Sequence, residues 1–347
     1  MTPRSTERGL DASEAPAIAE TLVGEGKLLE AIDLLQRANR LARDGEIERR
    51  LVRLRHDAFA RLDRSQPPAA WPPPIPDVLA DAPSPPVVGP EELTLDTLRG
   101  GIFGHGCLLV RRLVPEPRVE ELVDGIDRAF EAYEARAAGA PASETTPWFE
   151  PFTPGPGYSV GPKRSWTWDA GGVLVGDSPR LMYELLETLD EVGLRRLIGA
   201  HFDERPLLSM NKSTLRRVPL DTSSDWHQDG AFLGQGIRTV NVWLSLSHCG
   251  RDAPGLDIVP RRLDRIVETG TEGASFPWSV APDKVEQACG ANSVVRPIFE
   301  PGDVLLFDDL FLHRTAIDAG MTRERHAVET WFFAASTYPG KQIPFVY

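Results

Sequence analysis

The chain has 347 residues, of which 41% are hydrophobic and 26% charged, and its formal net charge is −13 at pH 7. This length suffices for one large core plus an appendage, and the acidic balance disfavours nucleic acid, whose phosphates require a basic surface. Three scattered cysteines argue against a disulfide framework, and the charged N-terminus has no apolar run of membrane length, so we expect a cytoplasmic protein without a membrane span.

Residues 1–64 are predicted to form an N-terminal helical segment. Leu28, Ala31, Ile32 and Leu35 recur at the spacing of one helix face. The region 24–38 is similar to a tetratricopeptide-type helix pair, a unit that normally needs about three copies to bury its apolar faces. Only one copy is visible, so we expect these helices to pack on the rest of the chain, on a second copy in a homodimer, or on a protein partner.

Residues 65–90 contain ten prolines in 26 positions, a composition typical of an extended, semi-rigid linker. We therefore predict that a second domain spans residues 91–347. Helices are expected over 119–137 and 180–198. The Pro/Gly-rich, aromatic stretch 138–165 between them is expected to be a long loop, and such loops often form substrate walls.

Short β-like runs dominate the second half of the chain. They are predicted at 207–210, 239–246, 255–259, 293–299, 304–307 and 327–335. The alternation of apolar and polar residues is clearest around Val240 to Leu246. Many short strands that follow helices indicate an α+β fold, in which a double-sheet jelly roll has helices packed outside it.

His227 and Asp229, with His313 much later in the chain, are the strongest candidates for chemistry. Two imidazoles and one carboxylate can occupy one face of Fe(II) and leave the opposite positions open for a co-substrate and oxygen. Residues two apart on a strand point to the same side, so His227 and Asp229 can reach one metal ion. The sequence therefore predicts a metal site at His227, Asp229 and His313.

These residues lie in two sequence motifs, D-W-H-Q-D-G at 225–230 and P-G-D-V-L-L-F-D-D-L-F-L-H at 301–313. With them the chain resembles the phytanoyl-CoA dioxygenase family of Fe(II)- and 2-oxoglutarate-dependent oxygenases. The resemblance implies a cupin-like double-stranded β-helix that uses Fe(II), 2-oxoglutarate and O₂. It also implies hydroxylation of a small-molecule or lipid-like substrate, with 2-oxoglutarate decarboxylated to succinate. Related halogenases lack the carboxylate that Asp229 supplies, which favours hydroxylation or desaturation here.

The distal carboxylate of 2-oxoglutarate requires the bidentate geometry of arginine. The resemblance implies that this arginine lies on the strand after the second histidine. Arg325 is the preferred candidate because it directly precedes a β-like run, and Arg323 is the alternative. The family further implies that Thr315 supports the same carboxylate, that Gln228 lies near the co-substrate, and that Trp243 lines the pocket.

The segment Met210 to Arg217 is a polar strand just before the metal motif. Alternation places Lys212, Thr214 and Arg216 on one face, and we expect Lys212 and Thr214 to contact co-substrate or substrate. Lys163 and Arg164, beside Trp166, are candidates for an anionic group of the substrate. Two alternatives remain open: a non-catalytic metal-binding jelly roll, and a helical adaptor with a regulatory role.

Overall fold

The computed structural model describes residues 12–64, 71–73, 78–222, 224–234 and 236–347. The α-helices in these ranges are α1 (Ala15–Gly24), α2 (Leu28–Leu41), α3 (Gly45–Ala58), α4 (Leu95–Gly100), α5 (Glu116–Ala137), α6 (Ala142–Thr145), α7 (Lys163–Asp169), α8 (Pro179–Glu191), α9 (Leu194–Phe202), α10 (Gly230–Leu233) and α11 (Pro282–Cys289). The strands are β1 (Val87–Val88), β2 (Cys107–Val110), β3 (Gly172–Leu174), β4 (Pro206–Val218), β5 (Thr239–Ser245), β6 (Gly255–Ile258), β7 (Val304–Phe307), β8 (His313–Ala316), β9 (Arg325–Ala334) and β10 (Pro344–Val346).

Within the described ranges the strands form one large sheet and one small one. The large sheet has eight strands in the order β1-β2-β7-β5-β9-β4-β10, with β3 paired to β4, and all its pairings except β1 with β2 are antiparallel. The small sheet consists of β6 and β8. Helices together with a mostly antiparallel sheet confirm the predicted α+β class.

The central strand β5 shows that the large sheet has helices packed on one face and a cavity on the other. Val240, Val242 and Leu244 belong to the hydrophobic cluster shared with α5, α8 and α9. Asn241 and Trp243, on the opposite face, line a cavity. Successive side chains of a strand point to opposite faces, so the alternation read from the sequence places helices behind the sheet and the cavity in front of it.

Strand β4 joins the predicted run 207–210 and the predicted polar strand 210–217 into one element, and its pairing with β9 is interrupted between Leu208 and Ser213. Leu208 before the interruption faces the helices, whereas Thr214 and Arg216 beyond it line the cavity. Leu208, Thr214 and Arg216 are all even-numbered, so they would share one face of a regular strand. The irregularity therefore exchanges the two faces of β4, as a one-residue shift in register does. The polar half of β4 is thereby turned toward the cavity.

The prediction of one continuous strand over residues 293–299 was wrong. Val295 and Phe299 form only isolated bridges, with Ile258 and Cys249 respectively. Pro297 lies between them and has no backbone N–H to donate, which prevents an uninterrupted ladder.

The N-terminal helices pack on the rest of the chain. Their apolar side chains share one cluster with Tyr183, Leu207 and Val346. Buried Glu48 of α3 also accepts a 2.7 Å hydrogen bond from Arg180 of α8. Packing on the same chain is therefore observed, and a homodimer or a protein partner at these helices stays a prediction. The likeness to a tetratricopeptide unit stays a prediction.

We expect the substitution Leu35→Ala to destabilise the whole chain by about 3 kcal/mol, because it leaves a cavity in this shared cluster. Leu35 is 0% exposed, whereas Leu41 on the same helix is 66% exposed, so Leu41→Ala is the matched control and should change little. Urea unfolding followed by circular dichroism measures both. Equal, small effects of the two substitutions would contradict the packing described here.

Part of the predicted linker, residues 65–70 and 74–77, lies outside the described residues. Its last residues do not form a free connector, because Val87 and Val88 pair in parallel with Leu109 and Val110 of β2. The division into residues 1–64, 65–90 and 91–347 stays a prediction. None of the described helices combines the length and the hydropathy that a membrane-spanning helix requires.

Candidate metal centre and its cavity

His227 and His313 face each other across a two-residue bridge between backbone segments. The N–H of His227 donates to the carbonyl of His313 at 3.0 Å, and the N–H of His313 donates to the carbonyl of His227 at 3.1 Å. Residues directly opposite each other in an antiparallel pair hold their side chains close together. The two imidazole centroids are accordingly 4.5 Å apart.

The sequence had suggested that Asp229 lies on a strand with His227, but in the structure it does not. It lies in a turn with φ −61° and ψ −28°, directly before α10. Gly230 makes this turn possible: a Cβ there would lie 2.7 Å from the Asp309 carboxylate and 2.8 Å from the Ile266 side chain. The turn brings Asp229 Oδ2 to 3.9 Å from Nε2 of each of the two histidines.

The three side chains offer one ligand atom each, and these atoms lie within 4.8 Å of one another. Nδ1 of His227 is 2.8 Å from the carbonyl of Asp225, and Nδ1 of His313 is 3.0 Å from the carbonyl of Phe311. A carbonyl only accepts, so each Nδ1 carries the proton and each Nε2 is left with a free lone pair. Such outer hydrogen bonds fix the tautomer and orientation that metal binding needs.

The charge states also favour a divalent cation. Burial, followed by the proximity of His227, lowers the pKa of His313 to about 4, so this imidazole is neutral near pH 7. Burial by itself would raise the pKa of Asp229, but Lys212 and the two histidines outweigh burial and bring it to about 2. The site therefore presents one neutral imidazole and one carboxylate in the protonation states that metal ligands require.

Lys212 is the nearest cation to this carboxylate. Its ammonium donates to Asp229 Oδ1 at 2.5 Å and lies 3.9 Å from the ring centroid of Phe232. The ion pair occupies one carboxylate oxygen and leaves Oδ2, the oxygen nearest both histidines, for a metal.

The three candidate ligands open onto a cavity of about 650 Å³, within the usual range for small-molecule sites. Its walls come from α7, β4, β5, β8 and β9. The lining residues besides the ligands are Lys163, Trp166, Thr167, Ala170, Asn211, Lys212, Thr214, Arg216, Ser224, Phe232, Asn241, Trp243, Leu256, Trp278, Thr315, Glu329, Trp331 and Gln342.

Five of the residues that the sequence assigned to co-substrate or substrate line this cavity: Lys163, Lys212, Thr214, Trp243 and Thr315. Gln228 does not. Its side chain donates to the carbonyls of Leu310 and Arg265 and accepts from the N–H of Val267. Gln228 lies between two residues that face the metal position, so its side chain points the opposite way. Its hydrogen bonds connect the 265–267 loop to the turn that carries Asp229.

Arg325 is fully buried and does not line the cavity itself. Its guanidinium carbon lies 5.5 Å from the ring centroid of Trp243, which does line the cavity, and it donates one hydrogen bond, to the carbonyl of Gly255 at 3.0 Å. Its Nε has no partner among the described residues. The alternative anchor, Arg323, is exposed and lies outside the cavity wall.

Glu329 is a cavity residue that the sequence analysis missed. Its carboxylate pairs with Arg216 at 3.2 Å and accepts a hydrogen bond from Thr214 at 3.1 Å. Burial would raise its pKa, but Arg216 and Arg325 bring the pKa down to about 2. The available signal was its position four residues after Arg325 on one strand, which places both side chains on the same face.

The aromatic residues of the region 138–165 do not form the cavity wall. Phe149 and Phe152 are buried in the main cluster, with Trp148 and Tyr158 packed against it. Arg164 donates to Asp177 at 2.7 Å and is therefore already paired. The aromatic side chains that do reach the cavity include Trp166, Phe232 and Trp278. Phe232 follows the metal motif by three residues, whereas Trp278 lies in a segment that carries no sequence pattern linking it to the site.

No family model matches the sequence, and no curated protein matches it. Among solved structures, the chain is similar to the non-heme alpha ketoglutarate dependent carbocyclase SnoK from nogalamycin biosynthesis (15% identity, TM-score 0.45, 72% of this chain and 87% of that one). It is also similar to EctD from S. alaskensis with 2-oxoglutarate and 5-hydroxyectoine (14%, 0.44, 68% and 76%). A third similar structure is AviO1 from Streptomyces viridochromogenes Tue57 (16%, 0.45, 71% and 99%). The function of this chain is therefore inferred from its own site residues.

Proposed function

We propose that this chain is an Fe(II)- and 2-oxoglutarate-dependent dioxygenase of the phytanoyl-CoA dioxygenase type, built on a double-stranded β-helix. It would hydroxylate a small-molecule or lipid-like substrate and convert 2-oxoglutarate to succinate. The observation that carries the proposal is the cluster of His227, Asp229 and His313, whose ligand atoms lie within 4.8 Å at the wall of a large cavity. Three protein ligands on one side leave the cavity side open to other ligands.

His227, Asp229 and His313 would hold Fe(II), and the bound iron with 2-oxoglutarate and O₂ would supply the oxidising power for attack on a C–H bond. The protein's part is positioning. The carbonyls of Asp225 and Phe311 hold the two imidazoles with Nε2 free. Lys212 keeps Asp229 ionised and limits it to one free oxygen.

The co-substrate fits unpaired donors near the cavity. Trp243 Nε1 and Arg325 Nε are buried without a hydrogen-bond partner in the described part of the chain, and leaving such groups unpaired is costly. A dicarboxylate provides the acceptors that they lack. We therefore propose that Arg325, with Thr315 and Trp243, holds the distal carboxylate of 2-oxoglutarate, and that Thr214 and Lys212 contact co-substrate or substrate from the same cavity wall.

One observation favours a second candidate function. The Lys212 ammonium already neutralises Asp229, so the site is electrostatically satisfied without a metal. A non-catalytic metal-binding jelly roll, which has no co-substrate to activate, is compatible with this arrangement. The open cavity of about 650 Å³ beside the ligands is the reason that we prefer the enzyme.

Turnover separates the two candidates. Incubated in air with Fe(II) and 2-oxoglutarate, the protein is expected to release succinate and consume oxygen slowly even without added substrate, and His313→Ala should do neither. Succinate measured by chromatography gives the rate. A protein that binds Fe(II) but releases no more succinate than His313→Ala would be the non-catalytic jelly roll.

A further inference from the structure

Among the described residues, one cation of the cavity lining forms no ion pair with a carboxylate. Lys212 pairs with Asp229, and Arg216 pairs with Glu329. The remaining cation of the lining is Lys163, whose ammonium forms no hydrogen bond or ion pair with any residue that the structure describes. Fe(II) and the dianion 2-oxoglutarate would cancel each other's charge, so Lys163 would still lack a counter-ion in the loaded site.

Lys163 is placed there by one face of α7. Lys163, Trp166, Thr167 and Ala170 all line the cavity, and their spacing of i, i+3, i+4 and i+7 is that of a single helix face. Burial, followed by the charges of Lys212 and Arg216, lowers the pKa of Lys163 to about 8. An ammonium kept partly buried beside two other cations is stabilised by an incoming anion.

The exposed aromatic side chains lie around the same cavity. Over the described ranges, the exposed aromatic residues are Trp166, Phe232, Phe276 and Trp278, with exposed fractions of 64%, 44%, 51% and 37%. Trp166, Phe232 and Trp278 line the cavity, and Phe276 stacks on Trp278 with centroids 5.2 Å apart and ring planes 2° from parallel. A cluster of exposed apolar rings at a cleft indicates a ligand surface.

The rings also lie beside the metal position. The centroids of Trp278 and Phe232 are 5.8 Å and 6.3 Å from that of His227. An apolar group held between these rings would therefore have its carbon atoms next to the metal. Lys163 and the aromatic side chains therefore indicate a ligand with two parts, an anionic group and an apolar group.

We propose that the substrate is a ring-containing apolar molecule carrying an anionic group, with the ring held by Phe232, Trp278 and Trp166 and the anion bound by Lys163. This inference rests on the proposed function for its chemistry, but the binding site itself needs no iron. Lys163 is thus a specificity-determining residue, and the reacting carbon belongs to the part of the substrate that lies against the aromatic wall.

The test measures binding of two flat probes of the same shape, 2-naphthoate and its neutral amide 2-naphthamide, by titration calorimetry. Both are titrated into iron-free protein and into anaerobic protein saturated with Fe(II) and 2-oxoglutarate. We expect naphthoate to bind at least about tenfold more tightly than naphthamide, because a hydrogen bond to a charged group is stronger than a neutral one. We also expect saturating 2-oxoglutarate to leave naphthoate binding in place.

Lys163→Met should remove the preference for naphthoate, and Trp166→Ala should weaken both probes about threefold or more. Both positions are at least partly exposed, so the variants should fold. Lys27→Met is the matched control, because Lys27 lies far along the chain in the N-terminal segment and pairs with Glu25; it should bind both probes as the unmodified protein does.

Three results would overturn the inference: equal binding of the two probes to the unmodified protein, a preference for naphthoate that survives Lys163→Met, or displacement of naphthoate by 2-oxoglutarate. The last would assign Lys163 to the co-substrate. A failed iron titration with naphthoate binding intact would instead refute the oxygenase and keep the anion site, so the two failures are distinguishable.

Discussion

Replacing His313 with alanine is expected to weaken Fe(II) binding by about 100-fold or more, because the site loses one of its three protein ligands while the backbone bridge to His227 is kept. His313 is 8% exposed, and its N–H and carbonyl hold the bridge to His227. Anaerobic titration calorimetry with Fe(II) measures the affinity. The more exposed His227→Ala should give a similar loss if His313→Ala folds poorly.

His248→Ala is the matched control for this experiment. His248 is a histidine with a 62% exposed side chain that pairs with Glu300 at 2.6 Å, outside the cavity. We expect it to bind Fe(II) with unchanged affinity. An Fe(II) affinity that survives His313→Ala and His227→Ala but falls in His248→Ala would place the metal elsewhere.

The second large effect concerns 2-oxoglutarate. Arg325→Gln is expected to weaken its binding by about tenfold to 100-fold while Fe(II) binding is retained, because the substitution removes a charged, bidentate donor. Arg325→Lys should recover only part of the affinity, since an ammonium lacks the fork geometry of a guanidinium. The measurement is anaerobic titration of the Fe(II)-loaded protein with 2-oxoglutarate.

Arg216→Gln is the comparison that decides the assignment. Arg216 lines the cavity, which Arg325 does not, and its two terminal nitrogens are already bonded to Glu329 and to the carbonyl of Ala170, whereas its Nε has no partner among the described residues. We expect its loss to change 2-oxoglutarate binding by less than about threefold, the effect of a contact that is already satisfied elsewhere. The opposite pattern, with 2-oxoglutarate binding lost in Arg216→Gln and kept in Arg325→Gln, would instead identify Arg216 on β4 as the residue that binds the distal carboxylate.

The sequence predicted the elements whose signal is local. The alternation in β5 and the apolar stripe of α2 were both sufficient, because strand and helix periods are properties of short segments. The face exchange in β4 could not be predicted, since an irregularity in pairing depends on the partner strand β9. The single helix pair likewise did not reveal which surface covers it.

The candidate site divides in the same way. His227, Asp229 and His313 were identified by residue type and spacing, and the structure brings them together. Gln228 was assigned by likeness to a family, whereas its position between two metal-facing residues turns it toward the 265–267 loop. Trp278 reaches the cavity from a loop far along the chain, and contacts of that kind are set by tertiary structure alone.

The most direct test of the central claim is an anaerobic titration of the metal-free protein with Fe(II) and then 2-oxoglutarate, followed by visible absorption. An oxygenase of the proposed type should develop the charge-transfer band of iron chelated by a 2-oxo acid. That band should be absent in His227→Ala and need more 2-oxoglutarate in Arg325→Gln. A folded protein that binds Fe(II) at His227, Asp229 and His313 yet gives no band at saturating 2-oxoglutarate would contradict the oxygenase and favour the non-catalytic jelly roll.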